Sequence, residues 1–457
     1  MNSVFFTARK TIKNYTNSGN VLILATIMAL LVVNLPFTKN IYESLWTHEV
    51  ALQVGAFNLF SHHGEPMSIM AFINDALMAL FFFSVGLEIK REVLVGELSS
   101  FRNALLPIVA AIGGMAFPVL IYWLIAKGTP YAGGAAIPMA TDIAFSLGVL
   151  AMLGDRVPIG LKVFLTTLAV VDDIGGILVI AIFYSTDINF MLLGFSAICL
   201  LILALGGKLG IQSKLYYTFF GLIVWFCFLN AGIHPTIAGV LVAFCVPAKP
   251  VYAPKNYIKI IRSNISHFAS EDDERLNSRT ILNKEQMNEL KEIESASDKV
   301  ISPLQDMEDT LHPLVNYIIV PLFAFANAGI YFGDMSFDQL FHGIAPAIII
   351  GLVCGKFLGI FSFSAICILL KWAPMPDGAC WKSLASVSIL GGIGFTVSLF
   401  ISNLSFGTGD AIAVMLLNDA KLGILVGSVL AGFLGWLALH LTLPKPLSQK
   451  KSVGKDN

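Results

Sequence analysis

Asp172 and Asp173 are adjacent in "LAVVDDIGGILV" (168–179), at the centre of an apolar run, 163–184, that holds no other charged residue. Three more ionisable residues, Asp75, Asp142 and Lys356, lie in comparable runs. A charge at the middle of a membrane helix costs about 2.5–3.5 kcal/mol on insertion scales, so such groups face a cavity or a partner. The plainer reading is a buried salt bridge that fixes helix packing, and it suits one aspartate with Lys356. It does not account for all five, because four carboxylates face one ammonium. Low dielectric and a neighbouring like charge both favour the protonated form of a carboxyl. Adjacent residues point about 100° apart around a helix, so the pair can divide its work: one member meets Lys356, the other a dehydrated cation. Protons and a small cation competing for such a pair is exchange chemistry.

Two elements must position these groups. In "GGAAIPMATDIAF", Pro138 precedes Asp142 by four residues, with Gly133 and Gly134 upstream. Proline removes an internal hydrogen bond, so a break is predicted near Met139–Thr141. "LGGIGFTVS" (390–398) places Gly391, Gly392 and Gly394 inside another apolar run and predicts a second break. Lone glycines in membrane helices are commonly packing contacts. Two interrupted helices in the two halves of a chain point instead to a transporter binding site. Opened helix ends expose partial charges, positive at N-termini and negative at C-termini. Asp142 and Lys356 are each expected to neutralise one such pair of ends.

The rest of the 457-residue chain is 56% hydrophobic and only 13% charged, with mean hydropathy +0.77. Soluble domains carry about 25% charge, so the class is an all-α polytopic membrane protein. Twelve spans are expected, at about 18–37, 70–88, 103–126, 133–152, 158–184, 189–206, 215–230, 232–247, 312–332, 343–370, 383–404 and 420–442. Their connections carry 25 Lys and Arg on one side and 3 (Lys39, Lys127 and Lys421) on the other, which predicts cytoplasmic termini. The run after Arg9, Lys10 and Lys13 reads as a retained first helix rather than a cleaved leader. Residues 1–442 form one membrane domain and 443–457 a cytoplasmic tail. Within it, 43–69 alternates like an outer β-hairpin or forms an irregular loop. Residues 248–310, with 12 acidic and 9 basic residues, form a long cytoplasmic loop. Its "NKEQMNELKEIESASDK" is either a solvated helix or disordered.

A net charge of −1 argues against a nucleic-acid partner. The six cysteines show no CxxC spacing, and the eight histidines, His62 and His63 among them, lack metal-ligand spacing. No cofactor is expected.

At this point a family becomes recognisable. "FINDALMALFFFSVGLEIKRE" (72–92), "AIPMATDIAFSLGVLAMLGDRVP" (136–158), "LAVVDDIGGILVIAIFY" (168–184), "GIHPTIAGV" (232–240), "LHPLVNYIIVPLFAFANAGI" (311–330), "GKFLGI" (355–360) and "GGIGFTVSLFI" (391–401) closely resemble the bacterial NhaA sodium/proton antiporters. The match runs in order from about residue 10 to 442. The family is itself an example of inverted repeats with broken helices. The resemblance implies twelve helices, with two interrupted ones crossing near the membrane middle. It implies Asp173 as principal Na+ or Li+ ligand and Asp172 as second essential carboxylate, exchanging its proton or its bond to Lys356. Asp142 and Lys356 would balance charge at the crossing, with Thr141 near the cation and Asp75 in support. The implied activity is electrogenic, pH-regulated export of sodium against protons across a bacterial inner membrane, by a protein that tends to dimerise. Candidate pH-sensing residues are Glu88, Glu92, Glu308, His312 and His234. For Glu88 and Glu92 a plain juxtamembrane cluster with Lys90 and Arg91 stays open, and for His234 a structural hydrogen bond. The long 248–310 loop departs from the compact connection expected in the family.

Among rival readings, "GTGD" (407–410) matches the GxGD pattern of intramembrane aspartyl proteases, but it falls in a polar loop. The adjacent Asp172 and Asp173 are not a dyad facing across two helices. A retinal-type pump would need Lys356 in a different span count. The serious alternative is a proton-coupled transporter of another solute on the same fold.

Overall fold

The computed structural model describes residues 18–54, 57–62, 65–185, 188–250, 254–268, 284–334, 337–407 and 411–444. Arg9, Lys10 and Lys13, His63, residues 408–410 of the GTGD stretch and the tail from 445 lie outside the described residues. Eight helices in the described residues are long and apolar enough to cross a bilayer: Ile69–Val95, Phe101–Ala126, Ile159–Phe183, Phe190–Lys208, Lys214–Ala231, Pro303–Asn327, Ile344–Leu369 and Ala411–Thr442. Three bent pairs raise that number to as many as eleven. Thr236–Cys245, at ten residues, is apolar but short. The protein is an all-α polytopic membrane protein.

Its outer surface is apolar. Leu24, Leu31, Ile182, Phe195, Leu201 and Leu222 are among many large side chains facing outward. Thr141, Asp142, Asp172, Asp173, Lys356, Ser388 and Ser398 are buried. That inversion suits lipid, where apolar outer surface carries no penalty and helix association depends on close packing and internal polar contacts. Phe101–Ala126 and Ile344–Leu369 meet this way at Gly113 and Gly359. A Cβ on either glycine would overlap the other's backbone carbonyl oxygen, and this close approach holds Lys356 beside Gly114.

The three bent pairs differ. Ser18–Asn34 turns by 112° into the amphipathic Lys39–Thr47, which lays Tyr42 and Trp46 against Phe325. Ala132–Met139 bends by 41° into Ile143–Met152, and Trp381–Leu390 by 43° into Phe395–Phe406. These last two are the breaks expected from Pro138 and from Gly391–Gly394. The first half of the earlier one is wound as a 3-10 helix. Wide π-helical turns occupy Phe72–Leu77, which includes Asp75, and Gly351–Gly355, which ends directly before Lys356.

Between residues 49 and 68 the chain forms short antiparallel strands. Glu65–Ser68 pairs with both Glu49–Val50 and Ser61–His62, and Gln53–Val54 pairs with Phe57–Asn58. Between residues 248 and 302 the described residues form two helices, Pro254–Phe268 and Lys284–Val300.

Two boundaries depart from expectation. The helix expected from residue 312 starts at Pro303, because Ser302 caps it by accepting from the Gln305 amide and proline suits the first turn. Glu308 and His312 are therefore helical. The last helix starts at Ala411 rather than about 420. Lys421, counted above as an outer connection, is thus inside a helix and 8% exposed, as is Asp419. Hydropathy alone read "NDAK" as a loop; the helix turns Asp419 and Lys421 inward and leaves Asn418 exposed.

Candidate cation and proton site

The two breaks touch. The Asp142 amide donates to the Ile393 carbonyl at 2.6 Å, Thr141 Oγ1 reaches the Gly391 carbonyl at 2.9 Å, and Ser146 Oγ donates to the Leu390 carbonyl at 3.2 Å. Ser398 Oγ donates back to the Ile137 carbonyl at 2.8 Å. The carbonyls freed where each helix opens are thereby met by hydroxyls and one amide.

The freed amides converge on Asp142. Its Oδ1 accepts from the Phe145 amide at 3.0 Å, capping Ile143–Met152. Its Oδ2 accepts from the Thr396 amide at 3.1 Å and from Thr396 Oγ1 at 2.6 Å, at the start of Phe395–Phe406. One carboxylate serves two helix N-termini, as charge balance requires. Lys356 behaves differently from the expectation of symmetry. Its Nζ lies 2.5 Å from Asp172 Oδ2 and 2.9 Å from Thr141 Oγ1, and the carbonyl ends nearby have the hydroxyl partners just described. An ammonium beside a carboxylate gains more there than from partial charges on carbonyls already satisfied.

Asp172 and Asp173 sit on the continuous helix Ile159–Phe183, which passes behind the breaks. The Asp172–Lys356 pair is 0% exposed on both side chains. Thr141 Oγ1, accepting from Lys356, is 2.6 Å from Asp172 Oδ2 and donates to it or to the Gly391 carbonyl. Asp172 Oδ1 is buried with no hydrogen-bond partner among the described residues. A buried carboxylate oxygen in that state is left as an unmet acceptor.

Asp173 looks the other way. It lines a cavity of about 400 Å3 together with Ser84, Glu88, Thr141, Asp142, His312, Asn316 and Thr396. The 100° step between neighbours thus separates a sealed carboxylate held by lysine from one that opens on a cavity. Thr141 lines the same cavity as Asp173, and a hydroxyl and a carboxylate are oxygen donors of the kind sodium and lithium take.

The pH-sensing candidates divide among three places. Arg91 Nη1 contacts Glu308 Oε1 at 2.6 Å and Arg91 Nη2 contacts Glu92 Oε1 at 3.3 Å, joining Ile69–Val95 to Pro303–Asn327. Glu88 and His312 line the same cavity as Asp173, and His312 bonds to Asn316. His234 is elsewhere: its Nε2 is 3.4 Å from Asp75 Oδ1 and its Nδ1 2.8 Å from Thr236 Oγ1. Sequence reasoning missed Thr396 as joint cap with Asp142 and Arg91 as link between two glutamates. A hydroxyl two residues after the last glycine of a break was the available signal for Thr396. Arg91 carried none, since one arginine in a charged juxtamembrane stretch looks like any other.

An apolar helical bundle with a carboxylate in a cavity, a lysine-held partner beside it and two broken helices crossing defines a membrane transporter for a small ion. The particular family emerges from comparison: a family model described as Na+/H+ antiporter 1 matches residues 9–439, and the chain belongs to that family. A Na(+)/H(+) antiporter NhaA from Phocaeicola vulgatus is 53% identical over 448 residues, covering 97% of this chain and 98% of the relative. The protein of that name from Parabacteroides distasonis is 51% identical over 429 residues, 94% of each chain. A Na(+)/H(+) antiporter NhaA 2 from Helicobacter hepaticus is 43% identical over 441 residues, 95% of each. These relatives span nearly the same length as this chain.

Proposed function

We propose that this protein is a secondary sodium/proton antiporter that exports Na+ or Li+ and admits protons, with Asp173 as the residue that takes the cation. The observation that carries the site assignment is the divided pair: Asp173 lines the cavity while Asp172 is closed off with Lys356. A cation entering the cavity displaces the Asp173 proton; as its charge loosens the Lys356–Asp172 bond, the Lys356 ammonium releases a second proton and Asp172 is freed as ligand. The reverse sequence returns one proton to Asp173 and one to Lys356, which pairs again with Asp172. Moving more than one proton per cation makes the cycle electrogenic. The two interrupted helices support an inverted-repeat design in which one half rocks against the other.

The reaction makes and breaks no covalent bond in a substrate and uses no cofactor, so the protein is a carrier rather than an enzyme. The excess of basic residues on one set of connections supports cytoplasmic termini in an inner membrane. The cavity-facing Glu88 and His312, with the Arg91-linked Glu92 and Glu308, form the pH-responsive mouth. Asp75 and His234 act as a supporting pair, and the 49–68 strands suit a homodimer contact.

Everted membrane vesicles from cells lacking their own sodium/proton antiporters test the reading. A respiration-driven pH gradient is followed by a fluorescent amine while Na+, Li+ or K+ is added at pH 6.5–8.5. Na+ and Li+ are expected to collapse the gradient in the parent, and Asp173→Asn to abolish that response at equal expression. Exchange retained in Asp173→Asn sinks the site assignment; no response to any cation sends the protein to an organic-solute screen.

A further inference from the structure

The cytoplasmic insertion is tied to the bundle at both ends. The Leu304 amide donates to the Pro247 carbonyl at 3.2 Å, closing its neck. Lys90 Nζ on Ile69–Val95 donates to the Phe244 and Val246 carbonyls at 2.7 and 2.5 Å. From Pro247 to the start of Pro254–Phe268 is a reach of at most about 25 Å even fully extended, so this helix is held close to the ends of the membrane helices.

Its two faces differ. Tyr257 Oη contacts Ser297 Oγ at 3.4 Å and Asn264 Nδ2 contacts Glu292 Oε2 at 3.2 Å, so one side packs on Lys284–Val300. The opposite side is exposed and carries Lys255, Ile258, Lys259, Arg262 and Ile265. At 100° per residue these five fall within an arc of about 120°, isoleucines at one edge and basic residues at the other. Ile258 and Ile265 are each 54% exposed. Segment 254–268 contains no acidic residue, while 284–300 holds five acidic and three basic ones. With carboxylates available on the adjacent helix, Lys255, Lys259 and Arg262 nonetheless form no ion pair among the described residues. Basic residues turned away from an acidic neighbour, interleaved with exposed isoleucines, are what an anionic lipid surface binds.

We propose that Pro254–Phe268 is an interfacial anchor. Lys255, Lys259 and Arg262 dock on anionic phospholipid headgroups of the cytoplasmic leaflet, and Ile258 and Ile265 enter the boundary with the acyl chains. The inference takes its side of the membrane from the orientation proposed above and is independent of which ion is carried.

The test uses the full chain in nanodiscs of phosphatidylcholine alone or with about one-third phosphatidylglycerol, with amide hydrogen exchange read on peptides covering 254–268. Exchange in this helix is expected to slow by about tenfold in the anionic discs. The Lys255→Gln/Lys259→Gln/Arg262→Gln variant is expected to exchange at the neutral-disc rate in both, while retaining sodium/proton exchange as proof of folding. Ile258→Ser/Ile265→Ser should lose part of the slowing. Equal rates for the parent in the two discs overturn the proposal. So does slowing that survives the triple substitution, or slowing that appears only when an acidic protein is added.

Discussion

The buried pair of Asp172 and Lys356 adds less to stability than its complete burial suggests. Its components give up hydration, and a buried ion pair is often no more stable than apolar residues of the same volume. Removing one member is another matter, because the other stays buried and unpaired, at a cost of about 3–5 kcal/mol. We expect Lys356→Met to lower the thermal unfolding temperature of the detergent-purified protein by several degrees. Asp172→Asn/Lys356→Met should recover most of that loss, since no lone charge remains. A double variant no more stable than the single one would show that the pair is not coupled. Asp142 differs in kind: both of its oxygens are committed to helix ends.

Helix breaks, wide turns and glycine contacts give these side chains their positions. Asp142 can cap two helices only because both open at the same depth. Lys356 can reach Asp172 only because Ile344–Leu369 lies against Phe101–Ala126 at Gly113 and Gly359. A side chain at Gly359 has no room, and overpacking of this kind costs about 1–3 kcal/mol. Gly359→Val is therefore expected to lower thermal stability and to cut sodium/proton exchange several-fold, although the residue touches no ion. Unchanged exchange in vesicles containing well-expressed Gly359→Val would mean that this contact does not set the lysine. The π-helical turns around Asp75 and before Lys356 do related work: each adds a residue to a turn and so rotates the next stretch of helix away from its regular phase.

For the molecule as a whole, the insertion after Thr236–Cys245 sits next to the Arg91-linked glutamates. Its neck at Pro247 and Leu304 lies one helical turn before Glu308, which Arg91 holds. Deleting residues 255–299 with a short flexible replacement is expected to leave the apparent sodium affinity unchanged and to shift the pH range of exchange. A pH profile that stays put would make the insertion a spacer. Much of the bundle was legible in the amino-acid order. Apolar runs of bilayer length are a one-dimensional property, and a carboxylate stranded in such a run announces itself because lipid offers it no solvation. Pro138 and the 391–394 glycines marked the breaks for the same local reason. Which groups meet was not legible in composition or spacing, although the family resemblance implied the bond between Asp172 and Lys356. Asp172 and Asp173 are identical in type and adjacent in order, and only the rotation of Ile159–Phe183 against the crossing gives one the lysine and the other the cavity. The caps supplied by Thr396, the Arg91–Glu308 link and the burial of Lys421 depend on residues far apart in the chain. Local composition carries no information about such pairings, because the cost of an unmet charge or carbonyl is settled by whatever the folded neighbours bring to it.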